Sequence, residues 1–373
     1  MTVLILGFPR DIHIHAVRWA LDQVGVDHHV LYTPDMPGLL RASVHVSAGT
    51  PAMATFRSGP VHGTTGSYDT VWYRRSGEAM RPPGMSEADW TVVARECDHH
   101  VRTLRRCLAP DAYWVNDFET REQARLKVPQ LIAARACGLA IPETLFSNDP
   151  EEIRRFYAEH RRHGIIFKLN VQTYWAGPSG ASHVLFTTAL REEDLIDAEA
   201  LSSCPAIYQR KMEKEYELRV TCMDERCFTV RLDSQSRDIT RMDWRADLCT
   251  PLKPRLHELP PKVEERCIML MRKLGLAFGC IDLIVTPQGE HVFLEVNEMG
   301  QFLWVEQDEP GCTMLRAFAS LLIQHRLDRS SRLVGSDRIS FEEFLKSGTW
   351  ERGCADDEAH HVRYDALRAV SEP

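Results

Sequence analysis

Two apolar runs, Cys280-Ile281-Asp282-Leu283-Ile284-Val285 and Phe293-Leu294-Glu295-Val296-Asn297, carry three oxygen-bearing side chains where apolar ones dominate. A carboxylate in such a run is costly without a cation or a hydrogen-bonding partner. Side chains alternate along a strand, so Glu295 and Asn297 share one face while Leu294 and Val296 take the other. A turn at Pro287-Gln288-Gly289 makes the two runs a hairpin. With Thr286 opposite His291, Asp282 falls opposite Glu295 and three oxygen ligands reach one patch. Two carboxylates and an amide, with places left for water and phosphate, suit Mg²⁺ held between protein and nucleotide. The competing reading is a salt-bridged or solvated strand face.

Two lysines lie upstream. Lys168 sits inside Ile165-Ile166-Phe167-Lys168-Leu169, where a cation needs a partner, and an anion such as phosphate would serve. Lys127 stands near a helix start and, taken alone, reads better as a surface helix charge. Between Gln172 and Ser182 the chain is rich in Gly, Ser and aromatics. Its glycines allow backbone N–H groups to approach phosphate oxygens, and the segment is expected to close over the site. Glu217 and Arg219 are two apart on an expected strand, so they face the same cleft.

These residues need a scaffold. Thr2 to Leu6, Val26 to Tyr32 and Thr70 to Arg74 read as strands, with a helix through Val17, Ala20, Leu21 and Val24 after the first. Ser86 and Asp89 cap a helix whose stripe is Val93, Cys97, Val101, Leu104 and Leu108. We therefore expect an α/β domain over 1–113. A second domain is expected over 114–330. It holds a helix closing at Gly138, strands near 165–169, 183–187, 207–212, 218–223 and 227–233, and helices opening at Pro150 and Pro261. Asp224 and Glu225 mark a hairpin tip. Beyond 330 the chain reads as a loosely attached tail, with one short helix capped by Ser340 and Glu343.

Composition narrows the classes. The chain has 373 residues with 53 acidic and 45 basic side chains, a net charge of −8 that disfavours a general nucleic-acid surface. No apolar run approaches the roughly 20 residues of a membrane helix, and the start lacks a secretory pattern, so a cytoplasmic protein is expected. Eleven cysteines without a regular framework fit reduced thiols. The first strand leads into Gly7-Phe8-Pro9-Arg10 and not a dinucleotide fingerprint. No Cys/His group has the paired spacing of a structural zinc site.

In their order, the lysine before the lid, the lysine on a lid strand, the Gly-rich loop, the hinge and the Asp, Glu and Asn resemble the ATP-grasp superfamily. Val71-Trp72-Tyr73-Arg74-Arg75, Tyr216-Glu217-Leu218-Arg219-Val220, Leu232-Asp233-Ser234-Gln235 and the segment from Glu295 to Glu306 are similar to the microviridin-type (graspetide) peptide maturases. Coverage is roughly residues 1 to 325, so the segment after roughly 330, low in apolar content, is expected to be dispensable for ATP binding. The resemblance implies an N-terminal Rossmann-like pre-ATP-grasp domain followed by an ATP-grasp fold with an α+β lid subdomain at about 140–208, and an ADP-forming ligase using ATP and Mg²⁺. Its expected substrate is a ribosomal precursor peptide with a leader and an acidic core, whose side chains are joined by ester or amide bonds. It further implies that Lys127 and Lys168 bind the ATP phosphates, with Lys168 and Arg219 catalytic. Gln209, Lys211 and Met212 belong to the adenine hinge, Glu217 to the ribose, and Asp282, Glu295 and Asn297 to the metal. Asp224 and Glu225 would offer acidic contacts to a basic leader residue, and a homodimer stays open. The alternatives are an amide ligase for a free amino acid and a non-catalytic peptide-binding relative. At the hinge the chain has Arg210-Lys211, where many ATP-grasp enzymes carry an acidic residue and then an aromatic or apolar one.

Overall fold

The computed structural model describes residues 1–171, 174–176, 182–247 and 249–363. The strand Thr2–Gly7 lies inside a parallel sheet ordered Asp27–Tyr32, Thr2–Gly7, Thr70–Tyr73, Tyr113–Val115. Its Val3 to Leu6 are fully buried, as expected of a parallel strand covered on both faces. The helix Ile12–Gln23 follows, its N-terminus capped by Asp11, which accepts from the His13 N–H. Because Trp72 pairs with Val115, Trp114 and Val115 belong to this first sheet, so it ends two residues beyond the expected boundary at 113.

A three-stranded antiparallel sheet, Leu40–Ser47, Thr50–Ser58 and Val61–Thr64, had no counterpart in the sequence expectations. Its pattern is real but short: Leu40, Ala54 and Phe56 face inward against the long helix Glu87–Leu108, while their neighbours are exposed. Ser86 caps that helix by accepting from the Asp89 N–H at 3.1 Å.

The second part holds two sheets. One is ordered Thr188–Leu190, Ile165–Lys168, Ala206–Arg210, Thr144–Ser147, with the helix Pro150–His160 beside it. Of the 172–182 loop expected to close over the site, residues 172–173 and 177–181 lie outside the described residues. The flanking Tyr174–Ala176 and Ser182–Val184 pair antiparallel. The other sheet is five-stranded and antiparallel: Arg255–Leu256, Arg226–Leu232, Tyr216–Met223, Phe278–Val285, His291–Asn297. Alternation splits its faces. Leu218, Val220, Cys222, Ile281, Leu283 and Val285 pack on the helices Lys127–Ala136 and Pro261–Lys273. The opposite face has an apolar end, Met223 and Phe278, merged into the core of the first sheet, and a polar end at Glu217, Arg219 and Asp282.

The hairpin register is reached by a different route from the expected one. Val285, not Thr286, pairs with His291, and the Thr286 N–H donates to Glu290 O. A bulge between Asp282 and Leu283 then restores Asp282 opposite Glu295.

The segment beyond 330 is not a loose tail with one helix. It forms two, Phe341–Lys346 and Thr349–His360, and Phe341 and Phe344 are buried against the helices Ile12–Gln23 and Leu303–Asp308. Asp357, 2% exposed, takes hydrogen bonds from the Arg10 N–H and the Tyr32 hydroxyl and sits 2.9 Å from His15 Nε2. Buried aromatics and a buried carboxylate so satisfied make the segment part of the core. Among the described residues, no helix is long and apolar enough to cross a membrane.

Candidate active site

The polar end of the large sheet is a row across three strands: Arg219 is registered on Asp282, and Asp282 on Glu295. Directly paired residues share a face, so all three point to the same side. The Arg219 Nη1 donates to both Asp282 oxygens at 2.9 Å, and the Asn297 Nδ2 donates to Asp282 Oδ2 at 3.2 Å. The chain must pass closely behind Arg219. A Cβ on Gly300 would fall 2.4 Å from the Cys280 sulfur and 3.0 Å from Arg219 Nη2, so only glycine fits there.

Lys127 opens the helix Lys127–Ala136 and reaches Glu295 Oε2 at 2.7 Å. Gln130, one turn on and 1% exposed, clamps that helix to the strand bearing Glu295. Its Nε2 donates to Val296 O at 2.9 Å and to Ala124 O at 2.7 Å, and its Oε1 accepts from the Val296 N–H at 2.9 Å. Lys168 ends its strand close enough for its charge to act on Glu295 and Lys127. Glu217, on the same face as Arg219, is 2.7 Å from Lys214 Nζ, which also donates to Met242 O at 3.1 Å.

The electrostatics separate the two carboxylates. Burial works to raise the Glu295 carboxyl, but Lys127, Arg245 and Lys168 outweigh it and hold it well below the usual range. Asp282 is raised by burial and by Glu295, despite Arg219. Burial also lowers Lys168 and raises Glu217, each only partly offset by its opposite charge, Glu295 and Lys214. Strongly perturbed groups in one cleft mark a functional-site candidate.

These side chains line one cavity. Of the expected residues, Lys127, Lys168, Gln209, Met212, Glu217, Asp282 and Glu295 reach its wall. Arg219 and Asn297 touch it through Asp282. Lys211 does not reach that wall: its side chain is exposed and runs past Gly164, and its N–H donates to Gly164 O at 2.9 Å. Gln209, 2% exposed, donates to the Thr144 hydroxyl at 2.8 Å. The hairpin-tip acids lie outside this cavity. Asp224 accepts from the Leu327 N–H at 2.9 Å, and Glu225 pairs with Arg272, so both are engaged within the chain.

Three charged lining residues were not expected from the sequence. Asp243 and Arg245 form a two-pronged pair at 2.9 Å, and Asp243 also accepts from the Thr187 hydroxyl at 3.2 Å, joining the lid side to the large sheet. Lys214 is the third. For Asp243 and Arg245 the signal in the sequence is the alternation of charge from Arg237 to Asp247, common on solvated loops. Among the described residues no three His, Cys, Asp or Glu side chains converge as a ready-made metal cage. Asp282, Glu295 and the Asn297 amide are a hard-oxygen set that fits Mg²⁺, provided water or phosphate completes the shell.

No protein-family model matches the chain. A probable alpha-L-glutamate ligase of Xanthomonas campestris pv. campestris is 25% identical over 185 residues, 49% of this chain. The chain spans 59% of the length of that curated relative. Among solved structures, the RiPP-associated ATP-grasp ligase of Chryseobacterium gregarium, in complex with ADP and a leader and core peptide, is 25% identical with a TM-score of 0.78. It covers 89% of this chain, and 99% of its own length is covered. The macrocyclase MdnC of Microcystis aeruginosa MRC, bound with the precursor peptide MdnA, is 30% identical with a TM-score of 0.77 over 87% of this chain and 100% of its own. With identity at that level over the full length of MdnC, the chain belongs to the ATP-grasp macrocyclase family.

Proposed function

We propose that this protein is an ADP-forming ligase that activates a carboxylate of a ribosomal precursor peptide with ATP and joins it to a side-chain hydroxyl or amine of the same peptide. The observation that carries this reading is the Arg219–Asp282–Glu295 row, with Lys127 and Lys168 converging on it. A carboxylate oxygen attacks the γ-phosphorus and ADP leaves. The nucleophile then attacks the acyl carbon and phosphate leaves. Lys127 and Lys168 neutralise the phosphates, and Arg219 steadies the charge on the transferring group. Gln209 and Met212 border the adenine end, and Glu217 binds the ribose. Mg²⁺ bound by Asp282, Glu295 and Asn297 would draw charge from the phosphate oxygens.

Mass spectrometry of a precursor peptide incubated with the protein, ATP and Mg²⁺ tests the reading. Each new bond removes one water, and ADP forms in step. Asp282→Asn and Lys168→Ala should keep the wild-type circular dichroism and lower ADP formation on the order of 10²-fold or more, the usual loss when a transition-state charge partner goes. A peptide that never loses water while a free amino acid is consumed would assign the protein to the amino-acid ligases. No ADP with any acceptor would leave a non-catalytic peptide binder.

A further inference from the structure

A second cavity, of about 550 Å³, opens in the N-terminal part beside the helix Glu87–Leu108 and shares no lining residue with the candidate active site. Five arginines against three carboxylates line it. Helical spacing explains the bias. Arg95, Asp98, Arg102 and Arg105 recur at steps of three and four, forming one polar stripe beside the apolar stripe that packs on the core.

Arg105 is the decisive residue. It is 5% exposed, and its guanidinium donates to the Tyr73 hydroxyl at 3.1 Å. Its Nε has no partner, and it forms no ion pair among the described residues. The neighbouring arginines are balanced: Arg102 pairs with Asp98 at 2.8 Å, and Arg121 with Glu298 at 3.2 Å. The Arg105 guanidinium lies 4.7 Å from the Tyr73 ring centre and 4.9 Å from that of Phe118. Cation–π contacts offset only part of the cost of burying a charge. Burial, with Arg121 and Arg102 adding to it, presses this group below its usual range despite Tyr73. A buried, unpaired guanidinium at the wall of a cavity is complementary to an oxyanion.

We propose that this cavity is a second binding site, taking a carboxylate or phosphate group against Arg105 and seating the rest of the ligand on Tyr73, Phe118 and Trp90. The site stands apart from the ATP reading, because it needs no turnover and uses none of the cleft's residues. Calorimetric titration of the full chain with inorganic phosphate, and separately with the blocked dipeptide N-acetyl-Asp-Glu-amide, tests it. One of the two probes should bind the wild type. Binding of phosphate alone points to a phosphate-bearing ligand, and binding of the dipeptide to an acidic chain. Arg105→Met should weaken the binding roughly tenfold or more. Arg95→Gln, on the exposed rim, should weaken it less, and Lys168→Ala should leave it unchanged. The proposal is overturned if neither probe binds, if Arg105→Met with an unchanged Tm binds like the wild type, or if Lys168→Ala abolishes binding and so puts the probe in the cleft. Should Arg105→Met fail to fold, the double variant Arg95→Gln/Arg102→Gln decides, and wild-type affinity there overturns the proposal.

Discussion

Neighbouring carboxylates in this protein are set apart by what surrounds them. Glu295 has three cations near it and stays ionised, whereas Asp282, one strand away, is pushed up by burial and by Glu295 itself. Glu306 shows the same physics away from the cleft. Burial pushes its carboxyl up to about 6, against the pull of the N–H groups of Leu315, Phe341 and Met314. Leu315 and Phe341 donate to its two oxygens at 2.6 and 2.9 Å, so this one side chain ties the helix Met314–Gln324 to the C-terminal segment. The sign follows from linkage. A carboxyl raised in the folded state contributes stability that is full below about 4.5 and is lost as pH rises through about 6. Urea unfolding at pH 4.5 and 6.5 should show the wild type losing about 1.5 kcal/mol relative to Glu306→Gln over that interval. Parallel pH profiles for the two proteins would refute the assignment.

At the scale of elements, the helix Lys127–Ala136 places Lys127 only because Gln130 holds it to the strand His291–Asn297. Gln130→Leu removes hydrogen bonds to both backbone groups of Val296 and leaves those groups buried and unsatisfied. The loss should be about 2–4 kcal/mol in denaturant unfolding. Because the helix start would no longer be fixed, the KM for ATP should also rise, which a purely structural role elsewhere in the helix would not produce. Gln130→Glu retains one acceptor and should fall between the two. The hairpin obeys the same logic: its bulge keeps Asp282 opposite Glu295 although the turn-side register differs by one residue from simple counting.

For the molecule as a whole, one core spans what the sequence separates into a first domain, a second domain and a tail. Trp72, Phe278 and Phe318 meet edge to face, and Phe341 stacks on Phe344 at 5.9 Å. The first sheet and the C-terminal segment therefore fold together with the cleft. Phe344→Ala should cost about 3–5 kcal/mol, the usual penalty for deleting a buried phenyl ring. Truncation after Ile339 should abolish the cooperative thermal transition, since the protein's margin is on the order of 5–15 kcal/mol. A truncated chain with wild-type Tm would show that the contact is incidental.

Much of the cleft was legible because its chemistry lies in strands, where the period of two assigns faces directly. Glu217 with Arg219 and Glu295 with Asn297 fell on shared faces by that rule alone, and an isolated Lys168 in an apolar strand declared its need for a partner. Loop geometry decided the rest. Asp243 and Arg245 reach the cleft from an irregular segment, Lys211 donates its N–H to Gly164, Asp224 accepts from the Leu327 N–H, and Glu225 pairs with Arg272 at the surface. None of these contacts has a period to read. The C-terminal helices looked detachable because their apolar residues are few, and only their place on Ile12–Gln23, more than 300 residues earlier, shows that those few are buried. Local sequence determines which face a side chain takes, whereas contacts between distant segments determine whether that face meets solvent, substrate or core.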